Sequence, residues 1–142
     1  MYREGSVSST GKANIRDTLD NSFDTTSLTV SYPGIPVYTG SAETDIIYQA
    51  NASRIPSGAV GFTWCDSAAS YYQCDQHYVA FRPSTPGADL ACHETGHAVG
   101  LTHGSYASPV LSDSDTRLCC LTTPVLSRWL GSNNAEGINA AY

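Results

Sequence analysis

Three of the four histidines in this chain fall within one short run, ACHETGHAVGLTHG, from Ala91 to Gly104, with a glutamate directly after the first. Imidazole nitrogens and a carboxylate collected in this way suit metal binding and proton transfer. His93 and His97 are four residues apart. A helix through them puts both rings on one face, one turn apart, where two nitrogens can meet one zinc ion at about 2.0–2.1 Å. Glu94 lies about 100° further round the same helix, so it flanks the metal without ligating it. That placement suits a general base that takes a proton from a metal-activated water. Gly100, three residues after His97, can take the positive φ that breaks a helix sharply. The turn then carries His103 back as a third nitrogen ligand. Three protein ligands leave a position for water, the arrangement of a catalytic zinc rather than a structural one.

These residues need elements to position them. A chain of 142 residues suits one domain with a single core, so 1–142 reads as one unit. The net charge is -6, with only seven Lys and Arg and no basic cluster, which argues against a nucleic-acid partner. No apolar run approaches the roughly 20 residues that span a bilayer, so no membrane partner is expected. The N-terminus, MYREGSVSSTGK, has no apolar stretch of the kind a signal peptide carries. Either the chain was never exported or a signal has been removed; the low charged fraction, 14%, and the abundance of Ser, Thr, Gly and Tyr suggest a secreted protein.

Ile15, Leu19 and Phe23 form a helical stripe over Asn14 to Asp24. Leu28 to Tyr32 alternates with period two and ends at Pro33-Gly34, which predicts a strand and a turn. Asp45 to Gln49, Ala59 to Trp64 and His77 to Phe81 read as three more strands. A helix follows from about Asp89 to Val99, stopped by Gly100. Ser105 to Pro124 reads as irregular, and Asn133 to Tyr142 as a closing helix with Asn133 or Asn134 as N-cap. The order predicts an α+β fold with its sheet in the first half.

HETGHAVGLTH fits HExxHxxGxxH, and in these residues the chain resembles the metzincin metallopeptidases. The resemblance implies Zn2+ on His93, His97 and His103, with Glu94 as general base. It also implies a zincin-like fold, in which a twisted mixed sheet of about four to five strands packs on an active-site helix, with a C-terminal helix. LCCLTTPV followed by LGSNNAEGINAAY resembles the Met-turn and final helix of small secreted bacterial proteins of this type, some of them matrixin-like. Leu121 takes the place of the turn's methionine, since the only Met is Met1. Leu and Met are close in volume, so the exchange should cost under about 1.5 kcal/mol. The family places a strand before its first helix. The residues before Asn14 are poorly strand-like, so the sheet is expected to lack that edge strand or the chain to be trimmed there.

The implied activity is that of a secreted zinc-dependent endopeptidase, acting as a monomer on a peptide or protein substrate. An extended substrate segment would pair with the exposed sheet edge, here Ala59 to Trp64. An alternative is a catalytically weak or inactive zinc-binding module that recognises protein. A third is a disulfide-stapled structural protein with a fortuitous motif. Glu94 favours the enzyme, because a module without catalysis has no chemical need of it.

The cysteines are 65, 74, 92, 119 and 120, with no CxxC pair, which reads as a small disulfide framework in an oxidising compartment. Cys65 and Cys74 would close the loop WCDSAASYYQC. Cys92 precedes the first ligand and Cys120 precedes Leu121. A bridge between them would tie the active-site helix to the turn below it and contribute roughly 3–4 kcal/mol through loop entropy. Cys119 could pair with Cys92 instead. A Cys119 thiolate reaching the metal finds no support in the spacing. His77, outside the motif, reads as structural. Tyr106 is too common a residue type here to be singled out as an oxyanion donor. Asp113 and Asp115 read as a solvated turn rather than a calcium loop. Asn51-Ala-Ser53 is a glycosylation sequon with meaning only in a eukaryotic secretory host.

Overall fold

Ile15, Leu19 and Phe23 are all fully buried, as the period of their stripe predicts. The computed structural model describes residues 1–71 and 73–142. In it the stripe spans α1, Ser9–Thr18, and a π-helical turn, Leu19–Phe23. The helix therefore begins before the expected Asn14. Ser8 is its N-cap, with Oγ accepting from the Gly11 N–H at 3.1 Å, a polar start signal that an apolar stripe does not report.

Among the described residues, four strands form one mixed sheet in the order β1-β2-β4-β3. They are β1, Tyr2–Arg3; β2, Ile46–Ala50; β3, Gly61–Ser70; and β4, Gln73–Phe81. β2 is parallel to both β1 and β4, whereas β3 is antiparallel to β4. Ile46, Ile47 and Tyr48 of β2 and Val79, Ala80 and Phe81 of β4 are buried in succession. Such runs mark central strands covered on both faces. Two further helices complete the α+β fold, α2, Ala88–Ala98, and α3, Ser132–Ala141. Ile138 of α3 and Leu118, Cys120 and Leu121 of the preceding segment join the core under α2. No helix among the described residues is long and apolar enough to cross a membrane.

Several expectations need correction. Leu28 to Tyr32 is not a strand; it is an extended strap outside the sheet. Leu28, Val30 and Tyr32 pack on the core while Ser27, Thr29 and Ser31 face outward. The alternation thus reports one buried side and does not require a ladder partner. The Met1 ammonium donates to Ser31 O at 2.8 Å, the Tyr32 ring lies against the Arg3 and Arg16 guanidinium groups, and the Tyr32 hydroxyl donates to Asp20.

The strand before the first helix, expected to be missing, is present as β1. It pairs Tyr2 with Ile47 and Arg3 with Tyr48. Two residues are too few to show a period, and backbone hydrogen bonds hold them whatever their side chains. β3 and β4 also extend beyond Trp64 and before His77 as one long hairpin. That extension is polar and reads as a loop, yet the Cys65–Cys74 disulfide closes it. The N-cap position of α3 is Gly131, not Asn133 or Asn134. Asn134 lies inside the first turn, buried, with its amide donating to Leu118 O at 2.7 Å.

Candidate metal centre

α2 brings His93 and His97 to one face and ends directly after them. Gly100 takes φ +87°, a conformation that side-chain-bearing residues rarely adopt. The Gly100 N–H donates to His97 O at 3.1 Å and the Leu101 N–H to Gly96 O at 2.9 Å, the paired bonds of a Schellman ending. The chain then reverses toward the helix. The Leu101 carbonyl accepts from His97 Nδ1 at 2.9 Å, so the turn that stops the helix also orients its second imidazole. His103 follows two residues later, at the entry to a 3-10 turn, Gly104–Tyr106.

His93 is oriented from below, with Nδ1 2.7 Å from the Cys120 carbonyl. A carbonyl oxygen only accepts, so Nδ1 carries the proton on both rings and Nε2 is a bare lone pair. The His93 Nε2 lies 3.2 Å from both His97 Nε2 and His103 Nε2. The three rings meet at centroid separations of 4.8, 5.1 and 4.9 Å. The predicted ligand set is thus assembled in one cluster that could hold a metal ion. Burial, only partly offset by the Cys120 hydrogen bond, pushes the His93 imidazole down to about 4. Burial lowers His97 as well. Both rings are neutral near pH 7, the protonation state a metal ligand needs.

Glu94 is 5% exposed. Burial raises its carboxyl to about 7, against a lowering hydrogen bond from Thr63. Thr63 Oγ1 lies 2.8 Å from Glu94 Oε2 and 2.9 Å from the Glu94 main-chain oxygen. Sequence reasoning missed this residue. Thr63 lies in a strand 31 positions from the motif, and only the docking of β3 over α2 brings them together.

The cluster opens into a cleft of about 580 Å³. Residues 58–63, Leu90, the four motif side chains and residues 122–125 line it. β3 is the outer strand of the sheet, at the place expected for an exposed edge. The Arg82 N–H donates to Val60 O at 2.9 Å, and Phe62 and Trp64 pair with Ala80 and Tyr78. Residues of an antiparallel strand face their partner alternately. The backbone groups of Gly61 and Thr63 therefore point to the open edge. Phe62 and Trp64 stack with each other, and Trp64 stacks on Tyr78.

Leu121 is fully buried beneath α2; a Cβ added at Gly96 would stand 2.7 Å from its Cδ2. Cys92 is bonded to Cys120 and Cys65 to Cys74, which settles the open pairing. Cys119 keeps a free thiol that bonds the Thr116 carbonyl. Both bridges are consistent with an extracellular or otherwise oxidising environment. His77 stands outside the cluster in β4, opposite Cys65. Tyr106 is largely exposed. Asp115 caps the 3-10 turn Thr116–Leu118 and pairs with Arg117. Asp113 ties two segments of the site: its Oδ1 accepts from the Ser105 N–H and its main-chain oxygen from the Thr123 N–H, each at 2.8 Å. Asn51 Oδ1 accepts from the N–H and hydroxyl of Ser53. Comparison of the chain with family models, with curated proteins and with solved structures gave no match.

Proposed function

We propose that the chain is a secreted zinc-dependent endopeptidase domain of metzincin type. The observation that carries the metal reading is the set of facing Nε2 atoms. Two bare nitrogen lone pairs repel at 3.2 Å, unless a cation sits between them. Nitrogens bound to one tetrahedral zinc ion at about 2.0–2.1 Å are roughly 3.3 Å apart, close to the spacing here. The donor set therefore fits zinc, held by His93, His97 and His103. Bound there, zinc would supply Lewis acidity to a water and to a substrate carbonyl.

The chain's own residues supply the rest. His93 and His97 are locked by their Nδ1 bonds to Cys120 and Leu101, which fixes ring orientation and raises donor basicity. Glu94 accepts the proton of the attacking water on its carboxylate and returns it to the amine nitrogen of the leaving strand. Its raised affinity for a proton suits that exchange near neutral pH. The open edge at Gly61 and Thr63 can pair with an extended peptide backbone, laying it over the cluster.

The test is cleavage of casein and of a quenched-fluorescent peptide library by the zinc-loaded protein, beside Glu94→Gln and a chelator-treated sample. Cleavage that needs both the metal and Glu94 supports the peptidase. A folded, zinc-loaded wild type that cleaves nothing favours the protein-binding module.

A further inference from the structure

The Glu94 carboxylate is held by the strand edge that would receive the substrate. On one side Thr63 Oγ1 bonds Oε2 at 2.8 Å. On the other, a Cβ at Gly61 would stand 2.5 Å from Oε1 and 2.8 Å from the carboxyl carbon. The missing side chain of Gly61 is thus the notch that Oε1 occupies. Among the described residues, Thr63 is the one side chain that hydrogen-bonds this carboxylate. Without it, rotation about the last bond of Glu94 would be opposed only by packing. The main chain of the same two residues turns its N–H and C=O groups to the open edge, so their side-chain positions and their backbone serve different partners.

Resting on the peptidase reading above, we propose that Thr63 is a positioning residue. It fixes Glu94 through Oε2 and links the aim of that carboxylate to the edge where the peptide pairs. A hydroxyl is suited to this place, because Oγ1 stands within hydrogen-bond reach of both Glu94 Oε2, at 2.8 Å, and the Glu94 main-chain oxygen, at 2.9 Å. An apolar residue of the same shape offers neither bond.

The experiment compares Thr63→Val and Thr63→Ser with wild type, using the best-cleaved peptide of a quenched-fluorescent library. Zinc stoichiometry and melting temperature are measured on each protein. Thr63→Val should retain its zinc and lose kcat by about 10- to 100-fold, with KM changed by less than about twofold. Thr63→Ser should recover most of kcat. A purely packing role would reverse this order, because Val preserves the shape of Thr better than Ser does. An unimpaired Thr63→Val in an active background overturns the inference alone, as does a Thr63→Ser as slow as Thr63→Val. If Thr63→Val fails to melt cooperatively, Thr63→Ala takes its place: Ala and Ser are close in size, so Thr63→Ala much slower than Thr63→Ser supports the inference and equal rates overturn it. A zinc-loaded wild type without activity overturns the peptidase reading and this inference with it.

Discussion

His93 donates from Nδ1 to the carbonyl of Cys120, and Cys120 is bonded covalently to Cys92, the residue before His93. A disulfide and a hydrogen bond thus join the same two segments side by side. The covalent link holds the acceptor in place for the imidazole. Replacing Cys92 and Cys120 together by Ser should cost roughly 3–4 kcal/mol in loop entropy and also weaken metal affinity. Urea unfolding reads the first effect and competition with a chromogenic chelator the second. A double variant that loses stability but binds metal as tightly as wild type would show that the Cys120 carbonyl needs no covalent support.

His103 is the proposed ligand carried by the reversing turn rather than by α2. Replacing His103 with Ala should lower metal affinity by more than about tenfold while leaving the helical content unchanged. Glu94→Gln should bind metal as wild type does. Isothermal titration of the chelator-stripped proteins checks both, and an unchanged affinity in the His103 variant would remove it from the ligand set.

Acid stability of the metal-free protein should reveal two opposed titrations. Burial holds His93 at about 4, against an ordinary value of 6.5, and lowers His97. The unfolded chain then takes up protons that the folded one refuses. The stability this represents is present above pH 6.5 and is lost as the pH falls toward 4. Glu94 runs the other way, raised from 4.5 to about 7. Its contribution is present below pH 4.5 and is lost as the pH rises through 7. Glu94→Gln removes only the second. Its melting temperature should therefore rise more steeply with pH from 4 to 7 than that of wild type, as read by differential scanning fluorimetry in chelator. Parallel curves would mean that Glu94 is not held protonated.

Leu121 fills the space under α2 against Gly96. Leu121→Ala should destabilise by about 2–5 kcal/mol through the cavity it leaves. Leu121→Met should cost under about 1.5 kcal/mol and leave metal affinity close to wild type. Denaturant unfolding of both variants is the measurement. A methionine variant that binds metal much more tightly would assign the thioether a role beyond volume.

The histidine cluster was legible because its information is local. His93, His97, Gly100 and His103 lie within 11 residues, and helical geometry with one glycine turn is enough to bring the nitrogens together. α1 was legible in its stripe but not in its start, because a cap is a polar signal. The strap at Leu28 to Tyr32 was misread because alternation records burial, whereas a strand also needs a neighbour. β1 was missed for the opposite reason, being held by its neighbour with almost no pattern of its own. Thr63 and the notch at Gly61 were invisible for a third reason. Their meaning depends on how the hairpin sits over α2, and no spacing along the chain encodes that contact.

Asp113 joins the backbone just after His103 to the backbone just before Pro124. His103 and the cleft-lining residues 122–125 are therefore tethered through a single side chain and its own peptide unit. Outward displacement of Thr123 would pull on the segment holding His103, so the cleft lining and the histidine cluster share one mechanical tether.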